Sequence, residues 1–266
     1  MKELFVAGQK ELIGMVHVRA LPGTPRNGLS VAEICRVAVE EARVLREAGF
    51  DAVLLENMHD LPYLKRAVGA EVTAAMTAAA CAVRGAVDCP VGIQVLAGAN
   101  REALAVAHAA GAQFIRAEGF VFAHVADEGL MESDAGELLR YRRAIGAECV
   151  KVFADIKKKH SSHALTADVS LADTAHAAEF FGADAVIVTG SATGREAADA
   201  DLAAVSGATA LPVIVGSGTT PDTLARQWEL ARGFIVGSWI KEDARWDHPI
   251  DPARAREMVR TAERLR

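Results

Sequence analysis

Aromatic residues are scarce in this chain, at 5% of 266 residues, although 51% are hydrophobic. That balance fits alanine-rich helices packed closely on a sheet rather than an all-β sandwich. Cysteine is scarce too. Cys35, Cys81, Cys89 and Cys149 form no CxxC pair and show no zinc-ligand spacing, so they read as small core residues of a reduced, cytoplasmic protein. No stretch reaches the length of a charge-free membrane span. The opening "MKELFVAGQKELIG" lacks the apolar run and small-residue cleavage site of a signal peptide. Positive charge is lacking as well: the formal net charge is -6 and the longest basic run is Lys157 to Lys159. A nucleic-acid partner needs a concentrated basic face, so that class is excluded, while three lysines suit one small anion. Several catalytic signatures are missing, namely GxSxG, HExxH and the lysine of a P-loop.

What is present is a repeat. Short apolar runs occur at 12–18 (LIGMVHV), 52–57 (AVLLEN), 91–96 (VGIQVL), 114–118 (FIRAE), 149–156 (CVKVFADI), 185–190 (AVIVTG), 212–218 (PVIVGSG) and 234–240 (FIVGSWI). Between them lie segments with helical periodicity, such as 30–48, where Ser30 and Glu33 have the spacing of a capping box. Gly49, Gly111, Gly182 and Gly233 stand where a helix should end in the left-handed conformation before the next strand. Pro90 and Pro212 open strands three and seven, where a missing N–H matters little. Eight strand and helix units with no break in composition predict a single (β/α)8 TIM barrel over residues 1–266. The rival is an open, doubly wound sheet.

In such a barrel the loops after strands seven and eight are neighbours and commonly form a phosphate site. Strand seven runs into Gly216-Ser217-Gly218 and strand eight into Gly237-Ser238. Either pair alone reads equally as a tight turn; side by side they point to backbone amides cradling an anion. Thr189-Gly190 and Thr193-Gly194 after strand six extend that cradle or simply shape a loop.

The other strand ends carry the polar residues: His17 and Arg19 after strand one, Glu56 and Asn57 after strand two, Arg116 and Glu118 after strand four. A long loop from Gly119 to Asp134 follows, holding His124 and Asp127. Strand five is densest, with Lys151, Asp155, Lys157, Lys159, His160 and His163. Glu56 and Asp155 are the acid/base candidates, because carboxylates facing one pocket have their pKa values pushed apart. His17, Lys159 and His160 complete the catalytic set, with Asn57, Arg116, Glu118, Lys157 and Thr189 as substrate contacts. Plainer alternatives stand beside these: a Lys151–Asp155 structural ion pair, a solvated lysine loop, and a core role for His17. The residue types of His17, Glu56, Asp155 and His160 also suit a divalent metal, without any close spacing to support one. No lysine stands on strand six, which disfavours an aldolase with its Schiff base there.

The segments "IGMVHVRALPGTP", "DAVLLEN", "FIRAEGF", "VKVFADIKKKH", "DAVIVTGSATG", "PVIVGSGTT" and "FIVGSWIK" together resemble the BtpA/SgcQ family over nearly the whole chain. The resemblance implies a TIM barrel and an enzyme acting on sugar phosphates or nucleosides. It also brings a link to photosystem I biogenesis that does not transfer. The pattern it implies after strand five, Asp-x-His-x-Lys-His, is met by Asp155, Lys159 and His160, while Lys157 stands at the usual histidine. That departure weakens a metal at this position and suits a further anionic group. The expectation is a cytoplasmic enzyme for a phosphorylated small molecule, an isomerase, lyase or nucleosidase using acid/base chemistry, in a homo-oligomer. A non-catalytic ligand-binding or complex-assembly factor is the alternative.

Overall fold

A computed structural model describes residues 4–5, 9–190 and 196–266. The barrel strands are β1 (Glu11–His17), β2 (Ala52–Glu56), β3 (Val91–Gln94), β4 (Phe114–Ala117), β5 (Lys151–Ile156), β6 (Ala185–Val188), β7 (Val213–Val215) and β8 (Gly233–Val236). They are all parallel, each pairs with its neighbours in the chain, and β8 returns to β1 to close the barrel. The helices are α1 (Val31–Ala48), α2 (Ala70–Ala86), α3 (Asn100–Ala110), α4 (Ala135–Ala144), α5 (Leu171–Phe180), α6 (Asp199–Ala208), α7 (Pro221–Gln227) and α8 (Pro252–Leu265). Eight units closing on themselves exclude the open sheet.

Local chemistry explains the element ends. Ser30 caps α1: its hydroxyl accepts the Glu33 N–H while the Glu33 carboxylate accepts the Ser30 N–H. Gly49, Gly111 and Gly182 take positive φ at helix ends, as expected. Gly233 does not; it lies within β8, where a Cβ would come within 2.9 Å of the Phe5 ring. β7 and β8 are shorter than their apolar runs suggest. Trp239 and Ile240 leave the barrel in a 3-10 turn (Ser238–Ile240), Ile240 burying itself below the loop and Trp239 stacking on Arg254. The four cysteines are free thiols, but only Cys89 is buried, and Cys81 and Cys149 are exposed, against the expectation of core residues.

Alternation decides what fills the barrel. Ile13, Met15, Leu54, Phe114, Phe153, Ile187, Ile214 and Ile235 pack inside it, with Phe5 against Phe153. The outward-facing alternates form the larger core beneath the helices. The next inward position on several strands is polar: His17, Glu56, Gln94, Arg116 and Asp155, all buried. Parallel register sets His17 beside Glu56 and Glu56 beside Gln94. The long loop after β4 is a hairpin, His124–Ala126 with Gly129–Met131, and Ser161–Ser162 from the loop after β5 adds a third strand. This small antiparallel sheet is read as plain loop from the sequence.

Candidate active site

A cavity of about 160 Å³ opens at the C-terminal mouth of the barrel. Gly216 to Thr220, Gly237 and Ser238 form one wall, and His17, Glu56, Arg116 and Lys159 face them, over a floor of Met15 and Ile235.

The glycine turns divide by cause. The Gly216 N–H donates to the Val188 carbonyl at 2.8 Å, continuing the sheet, and a Cβ there would lie 2.4 Å from Ile187 Cγ2. Close packing of β7 on β6 therefore accounts for Gly216. Ser217 Oγ accepts the Gly190 N–H at 3.0 Å and ties the loops after β6 and β7 together. Gly218 has φ +70°, a conformation that glycine reaches without penalty. Beside it Thr219 is buried, its hydroxyl without a hydrogen-bond partner among the described residues. At Gly237 a Cβ would meet only Met15 Cγ at 3.5 Å and His17 Nε2 at 3.7 Å, so packing does not demand glycine there. Thr189 directly follows β6, its methyl toward Gly216 and its buried hydroxyl without a hydrogen-bond partner among the described residues. Thr193 and Gly194 lie outside the described residues.

On the opposite wall Arg116 holds Asp155 through two hydrogen bonds, Nε to Oδ2 at 3.0 Å and Nη2 to Oδ1 at 3.1 Å. Burial works against the guanidinium charge, but Asp155, Glu56 and Glu118 more than offset it, and the Arg116 pKa is raised. Lys151 takes no part; it is exposed and pairs with Asp184 at 3.6 Å, which removes the Lys151–Asp155 pair as an alternative. His17 Nδ1 lies 2.8 Å from the Trp246 carbonyl, an acceptor, so that nitrogen carries the proton. Burial, then Lys241, hold its pKa well below the usual imidazole range. The neutral ring turns a bare Nε2 toward Glu56 Oε2, 3.7 Å away. Burial raises the Glu56 pKa, against the pull of Arg116 and Lys159.

The lysine run is split three ways by left-handed backbone at Lys157 (φ 48°) and His160 (φ 54°). Lys157 turns away to donate to the Val169 carbonyl at 2.5 Å and does not line the cavity. Lys158, which the sequence reading passed over, pairs with Glu118 at 3.1 Å and approaches Glu128 at 3.9 Å. Lys159 alone enters the cavity. Its pKa is lowered by burial and then by Arg116. His160 is exposed and stands outside the cavity.

Glu118 is thus engaged by Lys158, and by Gln94 Nε2 at 3.3 Å. Asn57 is a latch rather than a cavity group: it accepts the Leu96 N–H at 2.7 Å and donates to Asp60 at 2.9 Å, while Asp60 accepts the Leu21 N–H. The metal set does not form, because Asp155 is held by Arg116 and His160 lies at the surface. Among the described residues no three His, Cys, Asp or Glu converge to hold a metal ion. A buried ion pair that no spacing announced, Lys241 Nζ to Glu41 Oε2 at 2.7 Å, pins the loop after β8 to α1.

A closed eightfold parallel barrel with its polar residues gathered at the C-terminal mouth defines a TIM-barrel protein. The chain belongs to the BtpA family, whose model matches residues 8–264. It is 45% identical over 260 residues to a mitochondrial protein of Caenorhabditis elegans, covering 96% of this chain and 94% of that one. It is 35% identical over 249 residues to the photosystem I biogenesis protein BtpA of Synechocystis, covering 93% and 86% of the two chains. Among solved structures, (S)-3-O-geranylgeranylglyceryl phosphate synthase from Thermoplasma acidophilum, in complex with sn-glycerol-1-phosphate, superposes with a TM-score of 0.62 at 16% identity. That match covers 96% of this chain and 93% of the synthase. Phosphoribosyl anthranilate isomerase from Thermus thermophilus superposes at 0.60 with 15% identity, covering 96% and 100%. At such identities the likeness is one of fold.

Proposed function

We propose that this protein is an enzyme acting by acid/base chemistry on a phosphorylated sugar or nucleotide-like small molecule. One observation carries the reading: a single cavity sets the glycine turns after β7 and β8 against Glu56, His17, Arg116 and Lys159. The phosphate lies against the turns at Gly218–Thr219 and Gly237–Ser238, with Arg116 supplying charge. Asp155 orients Arg116. Glu56, whose buried carboxyl is held toward its protonated form, exchanges a proton with the substrate, and the bare His17 Nε2 accepts a hydrogen bond from a substrate hydroxyl. One structural neighbour, solved in complex with sn-glycerol-1-phosphate, lends support to a phosphorylated ligand on this fold. Four free thiols support a reducing compartment such as the cytosol, and no helix among the described residues is long and apolar enough to cross a membrane.

One feature favours a second reading, as a binding or assembly factor. Phe180 and Phe181, 82% and 50% exposed, stack edge to face at the end of α5, away from the mouth. Such a pair suits contact with another copy or another protein.

The test is thermal stabilisation by paired ligands, each sugar phosphate or nucleotide beside its unphosphorylated parent. A native-state ligand at a hundred times its Kd adds about 2.7 kcal/mol. Selective stabilisation by phosphorylated members is expected. Equal or absent stabilisation across every pair would remove the phosphate site and leave the assembly reading.

A further inference from the structure

Five lysines among the described residues are buried or partly buried, and four direct their ammonium groups at protein partners. Lys10 donates to the Trp228 carbonyl, Lys157 to that of Val169, Lys158 pairs with Glu118, and Lys241 with Glu41. Lys159 has no hydrogen bond or ion pair from its side chain among the described residues, although it lines the cavity with Arg116 and Glu56. Asp155 is already taken by Arg116, and Glu118 by Lys158 and Gln94, while Glu56 shares the cavity with Lys159 without forming an ion pair to it. A partly buried ammonium without a partner carries a desolvation cost, and a lysine eases that cost by losing its proton. The neutral amine is then a nucleophile opening onto the cavity.

We propose that Lys159 forms an imine with the carbonyl carbon of a phosphorylated aldehyde or ketone. This rests on the phosphate reading above and narrows its substrate class to carbonyl compounds. Lys159 Nζ attacks the carbonyl carbon, forming the C–N bond while the π electrons pass to oxygen. A proton moves from nitrogen to that oxygen and gives the carbinolamine. The Glu56 carboxyl then donates a proton to the hydroxyl as the C–O bond breaks, releasing water and leaving the protonated imine and a Glu56 carboxylate. Balanced overall, amine, carbonyl and one proton become iminium and water. The iminium is an electron sink, so the regenerated Glu56 carboxylate is placed to remove a proton from the neighbouring carbon. The exclusion of a strand-six Schiff base is not violated, because this lysine arrives from the loop after β5.

The experiment is borohydride trapping of the full chain with glycolaldehyde phosphate, dihydroxyacetone phosphate or ribose 5-phosphate, read by intact mass and peptide mapping. The expected result is a gain equal to the probe less one oxygen, mapped to Lys159 and suppressed by excess inorganic phosphate. The Lys159→Arg protein, whose guanidinium keeps charge but forms no imine, should lose the adduct and still be stabilised by the phosphorylated ligands. No adduct at Lys159 with any of the three probes, or equal labelling of the Lys159→Arg protein, overturns the imine. If phosphorylated ligands still stabilise the protein in that case, the function proposed above stands without it. Absence of both results fails both.

Discussion

Arg116 and Asp155, on adjacent strands, lie side by side at the barrel mouth as a buried, bidentate ion pair with contacts of 3.0 and 3.1 Å. Both oxygens of Asp155 are engaged. Its first consequence is structural: the carboxylate fixes the direction of the one guanidinium that lines the cavity.

Replacing Asp155 with asparagine should therefore cost stability. Removing one partner from a buried pair leaves an uncompensated charge and typically costs about 3–5 kcal/mol. Urea unfolding of Asp155→Asn should fall in or just below that range, since the amide oxygen still accepts one hydrogen bond. The Arg116→Met/Asp155→Leu double variant should lose less than the sum of its singles. A change of under about 0.5 kcal/mol in Asp155→Asn, the scale of an ordinary surface substitution, would contradict this account.

The two glycine turns should respond differently to alanine. At Gly216 the added Cβ meets Ile187 at 2.4 Å, and overpacking of that kind costs about 1–3 kcal/mol. At Gly237 the nearest atom would be 3.5 Å away, so Gly237→Ala should unfold as the parent does while its methyl narrows the phosphate wall. Melting temperatures with and without inorganic phosphate separate the effects. The expected pattern is a lowered baseline for Gly216→Ala and a lost phosphate response for Gly237→Ala; the reverse pattern would refute it.

His59, in the loop after β2 with its ring against Trp246, provides a pH test. Burial, then the charge of Arg19, lower its pKa to about 4 from an unfolded value of about 6.5. Between those values the unfolded chain takes up a proton that the folded chain does not. The contribution is therefore present above pH about 6.5 and is lost as pH falls toward about 4. Asp134, raised to about 6 chiefly by burial, titrates in the opposite sense across the same range, so the informative quantity is a difference. Urea midpoints of the parent should drop more steeply with acid than those of His59→Gln. Parallel curves would show that His59 titrates normally.

Much of the architecture was legible in the sequence because its signals are local. Strand parity puts His17, Glu56, Arg116 and Asp155 on inward positions, and the capping box at Ser30 and Glu33 depends on residues three apart. Recurrence of the strand and helix unit determined the barrel, since eight such units bury their apolar faces by closing on themselves. The glycines at the ends of β7 and β8 were visible, but not their separate reasons. Gly216 answers to a methyl of Ile187 on another strand, whereas a Cβ at Gly237 would make only ordinary contacts with Met15 and His17.

Tertiary structure alone decided the partners. Arg116 and Asp155 lie 39 positions apart and Lys241 and Glu41 lie 200 apart, so no spacing rule links either pair. Three successive lysines look alike as letters. Left-handed backbone at Lys157 and His160 sends Lys157 to a carbonyl, Lys158 to Glu118, Lys159 into the cavity and His160 to solvent. Local sequence sets which face of an element a residue occupies. Which charge it then meets, and whether water reaches it, depends on segments distant in the chain that closure of the barrel brings together.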